Sequence, residues 1–217
     1  MTAIQIKICG VRNAKDALAC AELGIDMLGF NFYPKSPRYI EPTAVRRIIE
    51  ALPRELCAVG VFVDADVAEI RKTAELAGIR CIQLHGATTP GSCRELAREF
   101  RVIRAFSTDG RFRPQNAATF RDCDVLVDAH DPDLRGGTGR RCDWSAAHET
   151  LRYARFLILS GGLNAQNVGR AIVAVTPNAV DVCSGIERAP GVKDQRALKD
   201  FISAVLAAES LRTASSF

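Results

Sequence analysis

Hydrophobic positions along this chain follow one repeated pattern. Short β-branched apolar runs are each followed by a turn and then by an amphipathic stretch rich in Ala, Leu, Glu and Arg. The short runs predict strands and the amphipathic stretches predict helices. We predict strands at residues 4–9, 27–32, 57–63, 80–84, 101–106, 124–128, 155–160 and 179–183, and helices at about 13–23, 42–51, 66–77, 90–100, 114–121, 145–153, 164–175 and 194–208.

The alternation of eight strands with eight helices predicts a parallel sheet of the α/β class. Eight units of this size are accommodated by closure into a single-domain (β/α)8 TIM barrel. An open doubly wound sheet is the alternative, but no GxGxxG motif follows the first strand, which argues against a dinucleotide-binding fold. We assign residues 1–210 to the barrel and residues 211–217 to a C-terminal tail.

The first strand indicates where the chemistry lies. Ile4, Ile6 and Ile8 are apolar, whereas the alternate positions include Lys7 and Cys9. Because successive side chains of a strand point to opposite faces, Lys7 and Cys9 are expected on the interior face. A buried ammonium group is costly unless it is paired, so this choice of residues predicts a functional site.

Composition narrows the classes of function. The chain has 217 residues, of which 47% are hydrophobic and 25% charged, and a formal net charge of +4. The chain contains no run of five or more basic residues, so a nucleic-acid partner is not indicated. A weakly positive site suits a small anionic ligand. No apolar stretch reaches the length of about 18 residues that a membrane span needs, and no signal peptide is expected.

The eight cysteines are scattered along the chain rather than clustered. They form no CxxC motif and no Cys/His group, so a zinc site is not expected. This usage is typical of a reducing compartment and predicts a cytoplasmic protein.

In a barrel of this kind, functional residues lie at the carboxyl ends of the strands. Asp128 ends the sixth strand and shares a face with Leu126, so we expect it to point into the top of the barrel. A carboxylic acid can donate a proton and a thiolate can accept one, which makes Asp128 and Cys9 a candidate catalytic pair.

Glycine-rich turns follow the last two strands. Gly161 and Gly162 come after strand 7, and Ser184 and Gly185 come after strand 8. Backbone N–H groups in such turns, with a short helical turn starting near Ser184, predict a phosphate-binding site.

Three further residues are candidates for binding or support. Arg38 lies in a loop stiffened by two prolines, which suggests carboxylate recognition. Gln83 and His85 end the fourth strand. We interpret His85 as a structural histidine rather than a catalytic one.

Taken together, these segments resemble one known family, phosphoribosylanthranilate isomerase of tryptophan biosynthesis. The resemblance spans about residues 4–206, and the motifs occur in the family's order. One departure is Cys183, where the family more often has serine. The matching segments are Lys7-Ile8-Cys9-Gly10, Ser36-Pro37-Arg38-Tyr39, Gln83-Leu84-His85-Gly86, Asp128, Gly136-Gly137-Thr138-Gly139, Asp143-Trp144, Ser160-Gly161-Gly162-Leu163, Asn167-Val168, Asp181-Val182-Cys183-Ser184-Gly185-Ile186-Glu187 and Pro190-Gly191-Val192-Lys193-Asp194.

The resemblance implies an Amadori rearrangement of N-(5-phosphoribosyl)anthranilate. It implies that Asp128 is the general acid and Cys9 the general base, and that Arg38 holds the anthranilate carboxylate. The turns containing Gly162, Ser184 and Gly185 would hold the phosphate. No metal or organic cofactor is implied, because the nitrogen of the substrate serves as the electron sink.

A further hypothesis concerns the burial of Lys7. Lys7 lies two residues before Cys9, and Asp181 lies two residues before Cys183, on strands that become neighbours when the barrel closes. We therefore predict that Lys7 and Asp181 form an ion pair inside the barrel, which would also favour the thiolate of Cys9.

Two other functions remain alternatives. One is a related phosphosugar barrel, either the isomerase of histidine biosynthesis or indole-glycerol-phosphate synthase. The other is a barrel that binds a phosphate ligand without catalysis. A small-molecule substrate is the expected partner, and a monomer is the default, since the predicted outer helices show no surplus apolar stripe.

Overall fold

The computed structural model describes residues 3–108, 112–128 and 144–214. Eight parallel strands form a closed barrel in chain order, which confirms the predicted (β/α)8 architecture. The strands are β1 (Gln5–Ile8), β2 (Met27–Asn31), β3 (Cys57–Val63), β4 (Cys81–His85), β5 (Arg101–Ser107), β6 (Asp124–Asp128), β7 (Leu157–Ser160) and β8 (Ala179–Val182).

Helices surround the barrel, and their ends follow local signals. Asn13 and Asp66 cap the first and third helices by accepting a hydrogen bond from the backbone N–H three residues later. Within the described parts of the chain, none of the helices combines the length and apolar character that crossing a bilayer requires. They are α1 (Ala14–Glu22), α2 (Pro42–Glu50), α3 (Val67–Ala77), α4 (Pro90–Leu96), α5 (Trp144–Thr150), α6 (Val168–Val175) and α7 (Gln195–Ala214).

Three elements differ from the sequence-based expectation. The helix expected over residues 114–121 is a 3₁₀ helix (Pro114–Phe120), a short segment that includes Asn and Thr, which are weak helix formers. Helix α7 continues to Ala214, four residues into the segment expected to be a tail. The expected helical turn after β8 is a 3₁₀ turn (Ser184–Ile186), and it leads into an antiparallel hairpin of β9 (Glu187–Ala189) and β10 (Val192–Lys193) that was not predicted.

The first strand separates two layers of the core. Ile4, Ile6 and Ile8 lie in the large apolar cluster between the barrel wall and the helices. A smaller cluster that includes Ile103 and Ile158 fills the interior of the barrel. Lys7 is fully buried on this interior side, as the alternation of the strand predicts.

The barrel closes between its first and last strands, β1 and β8. Their register pairs Lys7 with Asp181 and Ile8 with Val182. The N–H of Cys9 then donates to the carbonyl of Val182 at 2.9 Å. This seam therefore brings the end of the first strand beside the end of the last.

Candidate active site

The predicted ion pair between Lys7 and Asp181 is present. The Nζ atom of Lys7 lies 2.8 Å from Oδ1 of Asp181, with the Lys7 side chain fully buried. The hydroxyl of Ser160 donates to Oδ2 of the same carboxylate at 3.0 Å. Burial is the largest single influence and would lower the pKa of Lys7, but the negative charges of Asp181 and Cys9 and the hydrogen bonds to them together raise it and keep the lysine protonated.

Cys9 lies directly above this ion pair and has an unusually acidic thiol. A hydrogen bond from Cys183 is the largest cause that lowers the pKa of Cys9, which falls to about 6. Burial opposes this change, while the positive charges of Lys7 and Lys193 reinforce it. Cys9 is therefore a thiolate at neutral pH, the form that can accept a proton.

The unpredicted hairpin supplies two buried charges that sequence analysis missed. Lys193 donates from Nζ to Oε1 of Glu187 at 2.8 Å and also to the carbonyl oxygen of Cys9. Lys193 is 3% exposed, and the side chain of Glu187 is 4% exposed. Both belong to the segments that carry the family resemblance, but no local pattern indicated that they would be buried together.

Arg38 reaches the same cluster. Its Nη2 atom lies 2.6 Å from Oε2 of Glu187, and its Nε atom lies 3.1 Å from both carboxylate oxygens. Burial would raise the pKa of Glu187, but the hydrogen bonds from Arg38 and Lys193 lower it overall. Arg38, which was expected to bind a carboxylate of the ligand, is therefore oriented by a carboxylate of the protein, that of Glu187. A guanidinium has five N–H donors, so this pairing does not exhaust its capacity for a second carboxylate.

A cavity of about 120 Å³ opens beside these residues at the carboxyl end of the barrel. It brings together Asp128 from β6 and the glycine turns after β7 and β8, as the sequence predicts. The lining residues are Asp128, Ser160, Gly161, Gly162, Leu163, Asp181, Cys183 and Ser184.

Gly185 contributes to this cavity through close packing rather than by lining it. A Cβ atom at Gly185 would lie 1.9 Å from the carbonyl oxygen of Leu163. The turn after β8 can approach the turn after β7 this closely only because residue 185 has no side chain.

Gln83 and His85 lie inside the barrel on β4. Their Nε2 atoms are 2.7 Å apart. Burial, with the nearby positive charge of Lys7, lowers the pKa of His85 to about 4. The ring is therefore neutral at physiological pH and adds no charge to the site. The Gly136–Gly139 motif and Asp143, also part of the resemblance, lie outside the described residues.

Comparison with known proteins gives one consistent result. The family model for N-(5'-phosphoribosyl)anthranilate (PRA) isomerase matches residues 6–204. The N-(5'-phosphoribosyl)anthranilate isomerase of Geobacter sp. (strain M21) is 43% identical over 202 residues, which are 92% of this chain and 96% of that protein.

Solved structures agree with the sequence comparison. The crystal structure of phosphoribosyl anthranilate isomerase from Thermotoga maritima is 41% identical with a TM-score of 0.87, covering 94% of this chain and 99% of that one. The crystal structure of a phosphoribosyl anthranilate isomerase in complex with reduced 1-(O-carboxyphenylamino)-1-deoxyribulose 5-phosphate is 38% identical with a TM-score of 0.83, covering 94% of this chain and 99% of that one.

Proposed function

This chain belongs to the N-(5'-phosphoribosyl)anthranilate isomerase family and is an isomerase of tryptophan biosynthesis. From that premise we propose that it converts N-(5'-phosphoribosyl)anthranilate to 1-(2-carboxyphenylamino)-1-deoxyribulose 5-phosphate by an Amadori rearrangement, with Asp128 as general acid and Cys9 as general base. The reaction moves protons within one substrate. It needs a group that donates a proton and a group that accepts one, on either side of the substrate.

In the first step, Asp128 donates a proton to the furanose ring oxygen. The ring opens, and the anthranilate nitrogen forms a Schiff base with C1'. The position of Asp128 in the wall of the cavity supports this role, because the cavity also contains the turns suited to the phosphate.

In the second step, the Cys9 thiolate removes the proton from C2'. The product is an enolamine, which tautomerises to the ketone. The lowered pKa of Cys9 supports this role, because at neutral pH the base is already deprotonated. Along the shorter arc of the barrel, β7 and β8 lie between Cys9, which directly follows β1, and Asp128 on β6, and the cavity lies along that arc.

The two ends of the substrate are anchored by different groups. The turns with Gly161, Gly162, Ser184 and Gly185 bind the phosphate through backbone N–H groups. Arg38 binds the anthranilate carboxylate with donors that remain after its pairing with Glu187. Lys7 and Asp181 support Cys9 from below, and Gln83 with His85 forms part of the surrounding interior.

One observation carries the proposal. A thiolate stabilised by a hydrogen bond from Cys183 and by two buried lysines lies beside a cavity that contains both a carboxyl group and two glycine turns. A barrel that only bound phosphate would have no need of an acidic thiol beside the phosphate turns, and the family match separates this chain from the histidine-pathway alternative. The cytoplasmic location, the monomeric state and the absence of a cofactor stay predictions.

The decisive experiment follows the fluorescence of freshly generated phosphoribosylanthranilate as it disappears. We expect rapid turnover by the wild type. Cys9→Ala and Asp128→Asn should each lower kcat by about 10²–10⁴-fold, since each removes one proton-transfer group. Cys57→Ala, a thiol at the opposite end of the barrel, is the matched control and should keep kcat near the wild-type value.

Two results would contradict the proposal. Absence of wild-type turnover would reject the reaction itself. Full activity in Cys9→Ala or Asp128→Asn would leave the reaction in place but reject the assigned proton donor or acceptor.

A further inference from the structure

Six of the cysteines in the described residues form three thiol–thiol contacts. Cys9 hydrogen-bonds to Cys183, and the other pairs are Cys57 with Cys81 and Cys93 with Cys123. The cysteines described in the structure are free thiols. The Cys9–Cys183 pair is the one in the candidate active site, and it includes the position where the family more often has serine.

We propose that Cys183 is the resolving thiol of Cys9, so that oxidation joins the two in a disulfide that inactivates the enzyme and reduction restores it. The effect on activity rests on the proposed role of Cys9 as the base. Formation of the bond itself does not depend on that role.

The strand register places the two residues side by side. They directly follow the paired residues Ile8 and Val182, and both lie on the interior side, one position beyond that pair. Neighbouring strands are about 4.7–4.9 Å apart, within the Cα–Cα range of about 4.4–6.8 Å that disulfides span. The sulfur of Cys183 also lies 3.0 Å from where a Cβ of Gly10 would be, so it leans toward β1.

The surroundings favour different states for the two sulfurs. Cys9 is the acidic thiol, whereas the hydrogen bond to Cys9 and burial raise the pKa of Cys183 and keep it protonated. The Nζ atom of Lys193 is 4.0 Å from the Cys183 sulfur and close to the Cys9 carbonyl. In this arrangement of a thiolate, a protonated thiol and a cation, the thiolate attacks an oxidant. The protonated thiol then attacks the oxidised sulfur.

The oxidant required is a peroxide. The Cys9 thiolate attacks one oxygen of hydrogen peroxide, the O–O bond breaks, and Cys9 sulfenic acid and hydroxide form. The Cys183 thiol then attacks the sulfenic sulfur, the S–O bond breaks, and the products are the disulfide and water. The two thiols lose two electrons and the peroxide gains them. A dithiol reductant such as dithiothreitol returns both electrons by thiol–disulfide exchange.

Access to the pair is through the cavity, since Cys183 is one of its lining residues and the neighbouring Cys9 is partly exposed. A peroxide molecule is small enough to enter where the larger substrate binds. The bond would consume the base and hold the ends of β1 and β8 together below the phosphate turns. Loss of activity should therefore equal loss of the base, about 10²–10⁴-fold in kcat.

The test treats fully reduced protein with hydrogen peroxide and divides it into two samples. One sample is digested in acid and its disulfide-linked peptides are identified by mass. The other is assayed before and after dithiothreitol, with each activity expressed relative to the same protein before oxidation. The variants are Cys183→Ser and, as a matched control from the distant thiol pair, Cys57→Ser.

In the wild type and in Cys57→Ser, we expect a peptide linking Cys9 to Cys183, loss of activity, and recovery on reduction. In Cys183→Ser, Cys9 has no resolving thiol. Its sulfenic acid should be trapped by dimedone or oxidised further to the sulfinic acid, which dithiothreitol does not reverse. If Cys183→Ser does not fold, Cys183→Ala serves the same purpose.

A wild type without the linked peptide would overturn the proposal, as would the absence of both the dimedone adduct and the sulfinic acid at Cys9 in Cys183→Ser. The mass measurement also separates the two hypotheses of this protein. A linked peptide in a protein without isomerase turnover would support the disulfide and reject the proposed function.

Discussion

At the amino-terminal end of the barrel, Asp124 is held between two arginines, whereas at the carboxyl-terminal end Asp181 is held by Lys7. The Nε atoms of Arg101 and Arg155 lie 2.7 Å and 3.1 Å from the Asp124 carboxylate. Each end also carries a pair of hydrogen-bonded thiols. The two ends thus share the same kinds of residue, and their difference lies in solvation.

The side chains of Arg101 and Arg155 are 35% and 56% exposed, whereas that of Lys7 is fully buried. Exposed charges are screened by water, and buried charges act on their neighbours through a low effective dielectric. The guanidinium of Arg101 also lies 5.2 Å from the ring centroid of Phe156, a partly buried side chain that packs against the apolar cluster inside the barrel. A buried charge beside an open cavity distinguishes the candidate site from an end of the barrel that serves stability.

The largest expected difference between the ends is in stability. Lys7→Met leaves the Asp181 carboxylate buried without its cation and should lower the free energy of unfolding by about 3–5 kcal/mol. Arg155→Met removes an exposed partner of Asp124 and should cost about 0–1 kcal/mol. Urea denaturation monitored by circular dichroism measures both values.

The double variant Lys7→Met/Asp181→Asn is the control for this pair, because it removes both charges. It should recover part of the stability lost in Lys7→Met. Equal losses for Lys7→Met and Arg155→Met would show that burial does not distinguish the two ends.

A smaller difference is expected between glycines at the two ends. Gly185→Ala forces the turns after β7 and β8 apart, which should cost about 1–3 kcal/mol as overpacking does and raise the KM for the phosphorylated substrate. Gly24 follows α1 at the amino-terminal end, with φ of +71° and no atom within 4 Å of the position that a Cβ would occupy. Gly24→Ala should therefore cost about 1–2 kcal/mol from backbone strain alone.

The KM values separate these two effects. A raised KM is expected in Gly185→Ala and an unchanged KM in Gly24→Ala. A KM equally affected in both variants would mean that general destabilisation, rather than the phosphate turns, controls binding.

The smallest expected difference between the two ends is in the pH dependence of kcat/KM. The pKa of Cys9 is lowered to about 6, so the thiolate predominates above pH 6 and is lost below it. The kcat/KM should fall about tenfold for each pH unit below 6. At the other end, a hydrogen bond from Cys81 lowers the pKa of Cys57 to about 7, but this thiol lies away from the cavity at the carboxyl end of the barrel.

A phosphate monoester also titrates near pH 6, so the activity profile needs an independent measurement. The rate of iodoacetamide alkylation at Cys9, measured by peptide mass without substrate, gives the pKa of the thiol directly. The acid limb of activity should match that value and should be unchanged in Cys57→Ser. An alkylation midpoint for Cys9 near 8.5, the ordinary value for a thiol, would contradict the assignment.

The fold was predictable from the sequence because its signals are local. The period of each strand and helix is visible within a few residues, and eight such units leave few ways to form a sheet. The pairing of Lys7 with Asp181 followed from closure of the barrel, since closure makes the first and last strands neighbours. These features needed only periodicity and topology.

The cluster around Glu187 was not predictable in the same way. Strands of two and three residues, as in β9 and β10, are too short to show a period. Arg38 and Glu187 are 149 residues apart, and their contact depends on how a loop and a hairpin fold over the barrel. Cys183 was noticed in the sequence only as a departure from serine, because its contact with Cys9 exists only across the closed seam.

The seam between β1 and β8 also sets the time at which the chain can become active. Lys7 and Cys9 are made well before Asp181, Cys183 and Lys193 during synthesis. A nascent chain that ends before Cys183 therefore carries the thiol without Cys183 and Lys193, two of the groups that lower the pKa of Cys9. In the proposed mechanism, proton transfer by Cys9 can begin only after translation has delivered β8 and the barrel has closed.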